Sequence, residues 1–368
     1  MDWIREELES LRERHLFRVL RTLSTPQGKE VVINGKRLIN FSSNDYLALA
    51  KNYSPECLRE WGAGSGASRL VCGNFAVHEE LEEKLAKLKK TESSLLFSSG
   101  YMANVGVIST LVKEGDLILS DELNHASIID GCRLSKATVK VYPHKDLETL
   151  EFILSKERKN YRRCLIVTDS VFSMDGDIAP LEGLFRLKNE YEAVLLIDDA
   201  HATGVVGWSS LELFNLTPDE STVIIGTLGK ALGTFGAFVC GTKLLKDYLI
   251  NRCRTFIFTT ALPPAIACQT LKNLKLVPER MRALREKIDF FRKLTGIDSQ
   301  SAIFPFITGS EERALKLSEY LLREGYLVPA IRPPTVKESR LRITINYEHT
   351  EEELKRLWEL VSSFSEKP

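Results

Sequence analysis

The chain is 368 residues long, 43% apolar and 27% charged, and its 50 Lys and Arg are balanced by 50 Asp and Glu. The length asks for a large domain with a smaller companion, and the neutral charge balance argues against a binder of nucleic acid or other polyanions. No apolar run approaches membrane-spanning length and the opening MDWIREELES is too charged for a secretory signal, so a cytoplasmic protein without a membrane segment is expected.

The segment WIREELESLRERHLFRVL (3–20) has apolar residues at helical spacing among many charges, which predicts a surface helix or N-terminal arm. EVVINGKRLINF (30–41) places two apolar runs around Asn-Gly, a strong hairpin signal. AVHEELEEKLAKLKK (76–90) predicts an amphipathic helix with Val77, Leu81, Leu85 and Leu88 on its apolar stripe. From there short apolar runs, SLLF, DLILS, VKVY, CLIVTDS, AVLLID, TVIIGT and GAFVCG, alternate with helix-like segments at 101–113, 146–158 and 181–191. That alternation predicts an α/β fold with a mostly parallel sheet covered by helices on both faces. After about residue 255 a largely helical stretch, broken at Pro278, leads to FPFIT, a helix over 312–325, YLVPAIRPP, the strand-like SRLRITIN and a final helix over 350–363. The expected organisation is an N-terminal helix and hairpin arm over 1–45, a large domain over 46–255, and linking helices with a small α+β domain over 256–368. Seven scattered cysteines without a CxxC pair (Cys57, Cys72, Cys132, Cys164, Cys240, Cys253, Cys268) read as buried free thiols in a reducing compartment.

In an open α/β sheet, ligands bind beyond the carboxyl ends of the strands, so polar residues just past each apolar run carry the functional reading. SSGYMAN follows SLLF and sets Gly100 at a helix start, where free backbone N–H groups can hold a phosphate. A plain capped turn has the same pattern. His125 follows DLILS and is notable only for its position. Ser173 and three acids, Asp169, Asp175 and Asp177, crowd the turn after CLIVTDS, where acids also serve as turn formers and caps. Asp198 ends the wholly apolar AVLLID, where a carboxylate is costly unless it meets a donor or a positive charge. His201 comes three residues later, and Thr227 and Lys230 stand in TLGKALGTFG after the next strand. Asp and His can ligate a metal, but no third ligand emerges from the spacing, so no metal is expected.

Lysine, carboxylate, imidazole and a phosphate cradle at neighbouring strand ends are the set that pyridoxal phosphate requires. The lysine forms the imine, and the acid partners the pyridinium nitrogen. Enclosure lowers an ammonium pKa and makes the nucleophilic amine accessible, which suits Lys230 among small residues and glycines.

With these residues in place, the chain resembles the α-oxoamine synthase family of fold-type-I pyridoxal-phosphate enzymes. The resemblance is carried in order by NDYLALA, GSGASRLVCGN, HEELEEKLA, SSGYMAN, NHASIIDG, DSVFSMDGDIAPL, DDAHATGVVG, TLGKALGTFGAFV, FIFTTALPP, AIRPPTV and SRLRITIN. It departs in a short stretch between the first two motifs and in Ala67, where a further glycine is common. The resemblance implies that Lys230 is the cofactor lysine and that Asp198 pairs with the ring nitrogen. His201 and Ser173 would reach the ring oxygen, His125 would stack on the ring, and Thr227 with the backbone of Gly100 and Tyr101 would hold the phosphate. Asn44, Arg342 and Thr344 match positions near the substrate, with Arg342 the partner of an amino-acid carboxylate and Arg340 the competing choice. Arg18 matches an arginine at the acyl-CoA entrance.

Members of the family join a small amino acid to an acyl-CoA, or acyl carrier protein, with loss of carbon dioxide. The AIRPPTV stretch resembles the branch that joins alanine to a pimeloyl thioester in biotin biosynthesis. Glycine acetyltransfer, transamination on the same fold and a catalytically silent binding protein are the alternative readings. The resemblance also implies a homodimer in which FIFTTALPP, through Thr259 or Thr260, reaches the partner chain's cofactor phosphate.

Overall fold

The computed structural model describes residues 1–365. The Asn-Gly hairpin forms from β1 (Glu30–Ile33) and β2 (Lys36–Asn40), paired antiparallel with Ile33 opposite Lys36. Asn34 and Gly35 take φ of 50° and 77°, the left-handed pair that matches a two-residue turn to the strand twist. Seven strands follow: β3 (Ser93–Phe97), β4 (Leu117–Asp121), β5 (Thr138–Tyr142), β6 (Cys164–Asp169), β7 (Val194–Asp198), β8 (Thr222–Thr227) and β9 (Ala237–Gly241). They form one sheet in the order β3-β9-β8-β7-β6-β4-β5, in which β9 alone runs against its neighbours. This is the mostly parallel α/β architecture that the alternation predicts. β4, β6 and β9 are buried along their whole length, and β7 and β8 in all but one terminal residue each, which explains why they read as continuous apolar runs.

Helices Gly100–Leu111 and Ala126–Ser135 pack on this sheet, and Val107, Ile108 and Ile128 share a core with Ile118, Val167, Leu196 and Ile225. Burying each such side chain contributes about 1.5–3 kcal/mol. Ala76–Lys89, Leu147–Glu157 and Leu181–Glu190 also lie where their periodicity places them. The N-terminal helix is shorter than expected, Asp2–Glu13, and buries none of its residues.

The chain divides into two units: Met1–Lys51 with Met174–Gly176 and the residues from Arg282 onward, and Asn52–Ser173 with Asp177–Met281. The seven-stranded sheet belongs to the second. The first holds β1 and β2 with β11 (Tyr326–Leu327), and a second sheet of β10 (Ile303–Gly309), β13 (Ser339–Thr344) and β12 (Ala330–Ile331). The helical stretch after residue 260 breaks before Pro278 rather than at it, between Pro264–Leu274 and Val277–Thr295. Pro278 then sits in a first turn, where its missing N–H costs nothing.

The cysteine expectation needs correction. Cys57 and Cys268 form a disulfide and Cys72 is exposed, while Cys132, Cys164, Cys240 and Cys253 are buried thiols. Sequence spacing could not reveal the pair because 211 residues separate the two positions. The fold brings Pro55–Trp61 against Pro264–Leu274 and so aligns them.

Candidate active site

Lys230, Asp198, His201, His125, Thr227, Gly100 and Tyr101 line one cavity of about 170 Å³ at the carboxyl ends of the parallel strands, together with Asn104, Ser127 and Asp169. The sheet order explains the assembly. Strands β6, β7 and β8 are neighbours, with Asp169 opposite Asp198 and Asp198 opposite Ile225, so loops distant in sequence emerge side by side.

Asp198 is 5% exposed. Its Oδ2 accepts from Asn104 Nδ2 at 2.6 Å and its Oδ1 from the Ala200 N–H at 2.9 Å. The costly carboxylate at the strand end is thus held by two donors. Asn104 Nδ2 also donates to Ser127 Oγ at 3.0 Å, which lies 2.7 Å from His125 Nδ1. The Ser127 N–H donates to the same Nδ1, which makes Nδ1 an acceptor and leaves the neutral ring's proton on Nε2. Burial pulls the His125 pKa down, Asp198 pulls against it, and Lys230 adds to the lowering. The outcome is a neutral imidazole.

Asn104 was not singled out in the sequence. The available signal was its spacing, four residues after Gly100 and therefore on the same helix face. Asp169 caps the loop by accepting the His125 N–H at 2.7 Å. Its own carboxyl is pushed well up, first by burial and then by the like charge of Asp198.

Behind Asp198 the next residue faces the other way. The Asp199 carboxylate accepts from Lys89 Nζ at 2.7 Å, Ser170 Oγ at 2.7 Å and Ser209 Oγ at 2.8 Å. Its carbonyl accepts from the N–H groups of Ala202 and Thr203, folding the turn that carries the buried His201. Lys230 is half-buried in the β8–β9 turn, where the Gly233 N–H returns to its carbonyl at 2.9 Å. Thr227 Oγ1 donates to the Gly236 carbonyl at 3.0 Å and accepts from the Gly229 N–H at 3.2 Å.

Ser173 lies outside the cavity lining, in the loop after β6. Asn44, Arg342, Thr344 and Arg18 belong to the other unit. There the Tyr46 hydroxyl donates to Asn44 Oδ1 at 3.2 Å and receives Arg342 Nη2 at 3.4 Å. Arg340 is ion-paired with Asp175. Thr344 is buried in β13, and Arg18 Nη2 donates to Thr335 Oγ1 at 3.0 Å.

The match to the family model for aminotransferase class I and II covers residues 36–361. The chain belongs to this family. An 8-amino-7-oxononanoate synthase from Geobacter sulfurreducens is 47% identical over 95% of this chain and 94% of that protein. Among solved structures, a serine palmitoyltransferase from S. paucimobilis with PLP and myriocin bound superposes with a TM-score of 0.91, at 28% identity over 99% of this chain and 97% of that one. An 8-amino-7-oxononanoate synthase from Francisella tularensis matches with a TM-score of 0.77, at 29% identity over 89% of this chain and 97% of that one. The fold is therefore that of the fold-type-I pyridoxal-phosphate transferases, and pyridoxal 5′-phosphate is the cofactor of this family member.

The cavity fits that group. Asn104 Oδ1 is buried and has no hydrogen-bond partner among the described residues. Open space lies where a Cβ of Gly100 would stand, at the first turn of Gly100–Leu111, so an anion can approach the helix amides there.

Proposed function

We propose that this acyltransferase condenses L-alanine with pimeloyl-CoA, or the corresponding carrier-protein thioester, to give 8-amino-7-oxononanoate, free thiol and carbon dioxide, a step of biotin biosynthesis in the cytoplasm. The observation that carries the reading is the convergence of Lys230, Asp198 and His125 in one cavity. Near-full-length likeness to enzymes of that name supports the substrate pair.

When bound, the cofactor supplies an electrophilic carbon for the amine and an electron-withdrawing ring. Lys230 would hold the cofactor through Nζ, and the same Nζ, as a neutral amine, would accept the α-proton of the bound amino acid. Asp198, anchored by Asn104 and Ala200, keeps the pyridine nitrogen protonated. His125 is neutral and flat, suited to lie against the ring, while His201 and Ser173 address the ring oxygen. The amides of Gly100 and Tyr101 take the phosphate with Thr227. Arg342 is the partner of the amino-acid carboxylate, because Arg340 is engaged by Asp175, and Asn44, Thr344 and Arg18 complete the substrate contacts. The active species is a homodimer.

The test is a matrix of amino acids against acyl thioesters, read by thiol release. Alanine with pimeloyl-CoA is expected to be the best pair. A clear preference for glycine with acetyl-CoA would replace this reading with glycine acetyltransfer. Amino transfer to a 2-oxo acid without thiol release would replace it with transamination.

A further inference from the structure

One imidazole outside the cavity joins two of the loops that build the site. His144 follows β5 and lies between two carboxylates. Its Nδ1 is 3.0 Å from Oδ1 of Asp121, the last residue of β4, and its Nε2 is 2.9 Å from Oδ2 of Asp177. The His144 N–H donates to Glu122 Oε1 at 3.1 Å. Lys145 adds its N–H to Asp121 at 2.9 Å and its Nζ to Asp177 at 3.0 Å. The ring also meets Phe172 edge-on, with centroids 4.4 Å apart. The charged groups facing the imidazole are therefore Asp121 and Glu122 from the β4 end, Asp177 from the loop after β6, and Lys145 from its own turn.

Phe172 and Asp177 are the base of that loop after β6. The Phe172 N–H donates to the Asp177 carbonyl at 3.0 Å, and Val171 bridges Ile178 in antiparallel register. Ser173 is the next residue beyond this base. Asp121 stands four residues before His125. We propose that His144 is a positioning residue for Ser173, its two ring N–H groups tying the base of the 171–178 hairpin to the end of β4. The proposal rests on the reading of Ser173 as a partner of the cofactor's ring oxygen.

Two carboxylate partners require both ring nitrogens to donate, so the tie is made by the imidazolium. Burial lowers the His144 pKa, but the hydrogen bonds to Asp121 and Asp177 outweigh it and bring the value up to about 9. The folded value lies above the ordinary histidine value of about 6.5. The tie is therefore complete below that ordinary value and is lost as pH rises through about 9.

The experiment reads the cofactor-free protein first. NMR titration is expected to show His144 protonated at pH 7 and titrating well above the ordinary histidine range. Amide-exchange protection at Phe172 should fall in His144→Gln, while that of the central strands is retained. An ordinary His144 titration, or unchanged protection at Phe172, would overturn the proposal. Should His144→Gln fail to fold, Asp177→Asn removes the hairpin end of the tie and is read by the same criteria. In the holoenzyme, His144→Gln is expected to lower kcat about tenfold with little change in KM and to remove the alkaline limb of the wild-type profile. That loss should largely vanish in a Ser173→Ala background, and full additivity of the two losses would also overturn the proposal. A wild type that shows the His144 titration and the Phe172 protection but no condensing activity would count against the proposed reaction alone.

Discussion

Lys89 and Asp199 form a 2.7 Å ion pair with side chains 1% and 0% exposed, directly behind the strand end that carries Asp198. Asp199 also receives Ser170, Ser209 and Ser210, and Lys89 Nζ donates to Thr203 Oγ1 at 2.8 Å. The pair therefore clamps both the Asp198 peptide and the turn of His201. Lys89→Met would leave a buried carboxylate without its cation and should cost roughly 3–5 kcal/mol. Denaturant unfolding of the cofactor-free protein measures this. Adding Asp199→Asn in the same chain should recover part of the loss, whereas additive losses would show that the two charges do not act together.

Asp198→Asn should impair α-proton exchange far more than cofactor retention, by roughly 10²-fold or more. An amide cannot hold the ring nitrogen protonated, while the phosphate contacts proposed for Gly100, Tyr101 and Thr227 would remain. Hydrogen–deuterium exchange at the amino acid's α-carbon, set beside cofactor occupancy by absorbance, separates the two effects. Unchanged exchange would remove Asp198 from its electronic role.

Asn104→Ala removes one donor to Asp198 and one to Ser127 without touching the lysine. Leaving a buried carboxylate short of a partner costs about 1–3 kcal/mol. The expected result is a lowered kcat with KM for the thioester nearly unchanged. A variant with wild-type kcat would make Asn104 a packing residue only.

If the proposed homodimer shares its sites between chains, complementation is expected. A Lys230→Ala chain should lack turnover and reducible covalent cofactor. Mixed with a Thr259→Ala/Thr260→Ala chain, it should yield heterodimers with one site carrying both defects and one carrying neither. Activity should exceed that of either parent. No recovery, with heterodimers demonstrated and both parents impaired, would place each site within one chain. Phe258 and Thr260 are exposed on this chain, in the segment that would cross.

Element types were legible because period-2 and period-3.6 patterns are local properties of the backbone. The Asn-Gly turn, the continuous apolar strands and the amphipathic Ala76–Lys89 helix all appear where those patterns lie. Boundaries were less exact where charge diluted the pattern, as in the N-terminal helix, which ends at Glu13. The cavity residues were legible for a different reason: parallel sheets present ligands at strand ends, so residue type and position could be read together.

What remained hidden depends on pairing across the fold. Nothing near Cys57 marks Cys268 as its partner, and nothing in DDAH says what neutralises the second carboxylate, Asp199. Strand alternation turns Asp198 and Asp199 to opposite sides, but only the packed helix ending at Lys89 decides that Asp199 is the one neutralised in the interior. The same holds for His144, a single histidine after a strand until the fold sets Asp121 and Asp177 on either side of it. Local sequence determined which elements form and which ends carry chemistry. Tertiary structure decided which charges meet, because a buried charge is tolerated only where a partner from elsewhere in the chain is brought within hydrogen-bond reach.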